Sequence, residues 1–193
     1  MTKARDLANF ATAGAAVSAT ELGYVDGVTS AIQTQIDTKA PTSTTVTLTG
    51  TQALTNKTLS ASILVTPEER TTVSATAATG TVNFDALTQG VLYYTSNASG
   101  NWTLNVRGDG SNTLNSILAT GDAITVSFLV TNGTTAYRHT AMTIDGISVT
   151  PKWSGGTAPA AGNASAIDAY SFTIIKTASA TYTVLGAGPI KYA

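Results

Sequence analysis

The stretch that most constrains this chain is residues 18–41, where a short heptad seam is cut in two by helix-start signals. Leu22, Val25, Thr29, Ile32, Ile36 and Lys39 follow one another at alternating steps of three and four, the spacing of a coiled-coil seam. Ser18 with Glu21, and Ser30 with Gln33, each spell a capping box, and Asp26-Gly27 between them is a turn signal. Pro41 closes the segment by withholding a backbone donor. Neither piece reaches the roughly 12–15 residues that an isolated helix needs in water. Helices this short need partners, and further copies of the same chain are the nearest ones. The expectation is a helical neck at 18–41 that trimerises through Leu22, Val25, Ile32 and Ile36.

The segments on either side of the neck read differently. Residues 1–17 place Lys3, Arg5 and Asp6 ahead of a run of Ala and Gly, and are expected to form an attachment arm. Asp6 and Asn9 interrupt the apolar run that a secretory leader would need. Residues 42–62 are a Thr-rich spacer in which Val46, Leu48, Leu54 and Leu59 alternate with polar residues, while Gly50 and Asn56 mark turns. One copy of such a spacer buries no core; three copies around an axis could turn these aliphatics inward.

Residues 63–193 carry a β pattern. Charged residues make up 11% of the chain, against roughly 25% in ordinary soluble domains. Ser and Thr supply the polarity instead, and Thr suits strands because it is β-branched and its hydroxyl bonds across them. Strands are expected at 81–87, 91–95, 102–107, 123–132, 135–144, 147–153, 169–177 and 180–185, with turn signals between nearly all of them. Asn132-Gly133 and Asp145-Gly146 read as hairpin turns, since both central residues of a type I′ turn need positive φ. Residues 113–120 are expected to make one helical turn over a barrel end. The fold class expected is mainly β: the neck and spacer followed by a C-terminal β-sandwich of jelly-roll type.

Two phrases carry a resemblance. SATELGYVDGVTSAIQTQIDTKAP and TLTGTQALTNKTL are similar to the neck modules of tailed-bacteriophage tail fibres, which introduce trimeric shafts and heads. The segment SFLVTNGTTAYRHTAMTIDGISVTPKWSGGTAPAAGNAS, continuing into SFTIIKTASATYTVL, resembles a terminal β-domain of marine phage fibre and virion structural proteins. The resemblance implies a homotrimeric tail fibre or spike on the virion, mounted on other virion proteins and contacting a host-surface glycan or protein. A capsid decoration or collar protein is the alternative it leaves. Typical tail fibres have a large amino-terminal mounting domain; here at most residues 1–17 stand in that place.

Chemistry is sparse. A formal net charge of −1 offers no electrostatic footprint for nucleic acid. No apolar run approaches the roughly 18 residues of a membrane-spanning helix, so no insertion is expected. Zero cysteines rule out disulfides and thiolate metal sites. His139 is the single histidine, expected to be a satisfied structural residue; the functional variant has three copies sharing a metal on a trimer axis. No serine sits in a nucleophile elbow, and Glu68-Glu69 in PEER read as a solvated pair rather than a glycosidase couple. No catalytic residue, cofactor or metal is expected, and the chain is not read as an enzyme. Arg107-Gly108-Asp109 spells an adhesion tripeptide that arises easily in turns. Of the aromatics, Tyr137 and Trp153 are the candidate receptor contacts, and core packing is the competing role for each.

Overall fold

Alternating burial along residues 71–192 sorts the strands into two sheets around one core. The computed structural model describes residues 60–63 and 65–193, with single positions at 20, 24, 31 and 34. The expected arm, the helical neck with Leu22, Val25, Ile32 and Ile36, and nearly all of the spacer lie outside the described residues. The chain divides into the units Met1–Ser62 and Ile63–Ala193, and the second is described here.

Its elements are β1 (Thr71–Ala77), β2 (Gly80–Asp85), β3 (Val91–Ser96), β4 (Trp102–Arg107), α1 (Leu114–Ile117), β5 (Ala123–Asn132), β6 (His139–Ile144), β7 (Ile147–Val149), β8 (Lys152–Trp153), β9 (Ala166–Ala178) and β10 (Thr181–Tyr192). One sheet has six strands in the order β1-β3-β5-β9-β10-β8, and the other has four in the order β2-β4-β6-β7. The mainly-β, sandwich-like expectation therefore holds for this unit. Its connectivity differs from a jelly roll. The first six strands alternate between the sheets and pair in parallel with the strand two further on: β1 with β3 and β3 with β5, β2 with β4 and β4 with β6. Residues 71–144 thus wind as three coils, and β9 and β10 extend the larger sheet in antiparallel fashion.

The two turns expected to be hairpins part company for a local reason. Asp145 and Gly146 have φ of 52° and 80°, and β6 reverses there into antiparallel β7. At Asn132-Gly133 neither residue has positive φ. The Asn132 amide instead donates to the Tyr137 carbonyl and accepts from the Tyr137 N–H, closing a loop that carries the chain across to the other sheet. The expected strand at 135–144 is shortened to β6 for this reason, and Tyr137 lies in the loop.

Val82, Phe84, Leu104, Val106, Met142 and Ile144 of the smaller sheet meet Leu92, Val126, Phe128, Tyr170, Phe172 and Ile174 of the larger. Trp102 bridges the sheets, edge-on to Phe128 at 5.7 Å and to Tyr170 at 6.0 Å. Burying each large apolar side chain is worth roughly 1.5–3 kcal/mol, so this seam dominates stability. The expected helical turn is α1, capped by Thr113, whose side chain accepts from Ser116 N–H. It is pinned from both ends. The Asp145 carboxylate accepts from the N–H groups of Leu114 and Asn115, and the buried Lys176 Nζ donates to the carbonyls of Asn115 and Leu118.

Candidate functional site

Trp153 comes closest to the contact role expected of it. It ends the two-residue β8, which pairs with Leu185 and Gly186 of β10. Its indole packs edge-on against Phe172 at 5.6 Å and against His139 at 5.4 Å. Gly186 permits this approach, because a Cβ there would stand 3.1 Å from the ring. The indole is half-buried, and a hollow opens on each side of it. One of about 220 Å³ is lined by Arg138, His139, Val149, Pro151 and Pro159. The other, about 400 Å³, is lined by Lys152, Ser171, Thr173, Leu185 and Ala187. An exposed aromatic edge among hydroxyls and aliphatics can stack on a flat apolar group.

His139 is enclosed, only 4% exposed, among Trp153, Tyr170 and Phe172. Burial, reinforced by the Arg138 charge, pulls its pKa down to about 4, so the ring is neutral at pH 7. An imidazole walled in on the inner side of the sheet cannot meet its copies on a shared axis, which corrects the metal-on-axis variant. Among the described residues, no three His, Asp or Glu side chains gather as a metal site would require.

Tyr137 is half-buried and held by the Asn132 amide. Beside it the fully buried Asp168 carboxylate accepts from Asn132 Nδ2, Asn163 N–H and Asn163 Nδ2, which locks the long loop before β9. Arg138 adds a tie from its guanidinium to the Pro159 carbonyl at 2.9 Å. Tyr137 therefore stands at a braced loop, apart from the hollows that flank Trp153.

The turns do not gather into one surface. Because successive strands cross between sheets, successive turns fall at alternate ends. Gly108-Asp109-Gly110 shares one end with Asp145-Gly146, around a hollow of about 300 Å³. Asn132-Gly133 lies at the other end, where Ala98 N–H bonds to the Thr131 carbonyl. The adhesion-like tripeptide is satisfied internally. Arg107 donates to Asp85 at 2.6 Å, and Asp109 accepts from the N–H groups of Ser111 and Asn112. Those bonds, led by the one from Ser111, hold the Asp109 carboxyl below its usual range. Glu68 and Glu69 are exposed and outside any helix.

Sequence reasoning missed the contrast between the two outward faces of the sandwich. On the smaller sheet a polar ladder runs across the strands: Asn105 Nδ2 donates to Asn83 Oδ1, and Asn105 Oδ1 accepts from the Thr143 hydroxyl and the Gly146 N–H. On the larger sheet, register aligns Val73, Tyr93, Leu129, Ala169 and Ile190 in one outward row. The alternation within each strand was the available signal; which rows align across strands was not.

Comparison with protein-family models, curated proteins and solved structures finds no match for the chain.

Proposed function

We propose that this chain is a structural virion protein, a homotrimeric phage tail fibre or spike that mediates attachment to the host surface. The observation that carries the reading is the interrupted heptad at Leu22, Val25, Ile32 and Ile36, in a phrase similar to fibre necks and followed by a β unit that begins at Ile63. In this reading residues 1–17 mount the fibre, residues 18–41 trimerise it, and the β unit presents Trp153 and Tyr137 outward. The half-buried Trp153 edge beside the hollow lined by Arg138, His139 and Pro159 supports a stacking contact. Three copies on one fibre raise a weak contact through effective concentration.

Two measurements test it. Wild-type protein sediments at three chain masses, and Ile32→Asp with Ile36→Asp, which would bury like charges at the axis, sediments as monomer or aggregate. A monodisperse wild-type monomer at micromolar concentration would sink the neck. Immunolabelling of intact particles finds the chain on the tail, and Trp153→Ala lowers adsorption without lowering incorporation; label confined to the capsid favours decoration instead.

A further inference from the structure

We infer that the outward face of the six-stranded sheet is a self-association surface, on which three copies of the β unit close around a common axis. The inference rests on the trimeric reading above and adds a second, independent contact to it. Along β1, β3, β5, β9 and β10 the outward positions hold Val, Leu, Ile, Ala, Tyr, Ser and Thr, and no Asp, Glu, Lys or Arg. Lys152, on the two-residue edge strand β8, is the first charge met on that side. Four large apolar side chains of this face stand open to solvent: Val73 at 63%, Leu185 at 46%, Ile190 at 53% and Tyr192 at 57%. An apolar sheet face of this kind marks an interface.

A partner recognised through charge would need countercharges here, and the face has none. A second copy brings the same neutral, short-side-chain surface, which does not repel itself. Size agrees. Five strands at roughly 4.8 Å spacing, six to thirteen residues long, give a face about 20 Å by 30 Å, or about 600 Å² per copy divided between two neighbours; the closed ring of three buries about 1,800 Å², the order of one standard interface in total. Width sets the number. Three faces of that width, strands along the axis, leave each backbone about 6 Å from the axis, close to half the roughly 10 Å between packed sheets. Four copies would stand about 10 Å off and leave a hole that these side chains do not fill. Around three, Val73 at the β1 border of one copy meets Ile190 at the β10 border of the next.

The absence of cysteine makes a clean test. In the full chain, Val73→Cys with Ile190→Cys is treated with a short bis-maleimide, and Thr81→Cys with Ser148→Cys, outward on the four-stranded sheet, serves as the control. The expected result is a covalent ladder that stops at three chains for the first pair and stays at background for the control. Adding Leu129→Asp abolishes the ladder; Thr125→Asp, exposed on the same face, serves if that variant fails to fold. No ladder, a ladder equal to the control, or one that stops at two would overturn the inference. The two contacts fail separately. A ladder that survives Ile32→Asp with Ile36→Asp upholds the sheet contact without the neck. Wild type at three chain masses with no ladder overturns the sheet contact and leaves the neck standing.

Discussion

The two outward faces of the sandwich share Thr-bearing strands and end with opposite demands. On the four-stranded sheet the parallel register stacks like on like. Asn83, Asn105 and Thr143 become neighbours and consume one another's hydrogen-bonding groups, and Asp85 meets Arg107 in the same way. On the six-stranded sheet the register aligns aliphatics, and a side-chain pair across its outer face, Thr125 with Thr173, stands at a long 3.3 Å. A face that satisfies itself needs no partner. A face that aligns apolar groups outward stays unsatisfied until something covers it.

The largest effect should come from the ladder. Asn105→Ala leaves Gly146 N–H without its acceptor and removes the ties to Asn83 and Thr143, a loss of about 2–3 kcal/mol. Urea unfolding reads this, and a cost below about 0.5 kcal/mol would mean that the polar face is no more self-sufficient than the apolar one.

Next in size is the seam that both sheets share. His139 binds its proton more weakly folded, at about 4, than unfolded, at 6.5. Its contribution is intact above pH 6.5 and is lost as pH falls from there towards 4, because only the unfolded chain takes up the proton. At pH 5 the loss is about 2 kcal/mol relative to pH 7. His139→Gln should flatten that part of the stability profile, and an unchanged slope would assign the pH dependence elsewhere.

The smallest effect belongs to the apolar face. Thr125→Val, by removing one long exposed hydrogen bond, should change unfolding by less than about 0.5 kcal/mol. A larger loss would show that this face, too, is held together from within.

Much of the strand content was legible because it is local. Strands β4 and β5 occupy the expected 102–107 and 123–132, and Asp145-Gly146 turns as its dihedral needs dictate. Tyr93 and Tyr94 split as alternation requires, with Tyr94 edge-on to Phe128 at 5.6 Å. β1 was missed because its inward positions, Thr72 and Ser74, give no apolar period. The winding was missed because its repeat is uneven. Thr71 pairs with Val91 but Val91 with Ser127, so no fixed period marks the chain. Of the candidate contacts, Trp153 keeps an open edge and Tyr137 is held in a braced loop, while His139, expected to be structural, is walled in. That enclosure depends on Tyr170 and Phe172, which no spacing around His139 announces.

The uneven winding has a consequence for engineering. Between β2 and β3 the chain turns within residues 86–90, whereas between β4 and β5 it wanders through 108–122, helix included, and the ladders on both sides keep their register. Strand pairing is indifferent to how much chain is paid out at a corner. Each doubling of a flexible loop costs only about 0.6 kcal/mol. Gly110, exposed and with open space beside its Cα, is thus a graft point: a foreign peptide spliced there would ride on the rim without disturbing either sheet.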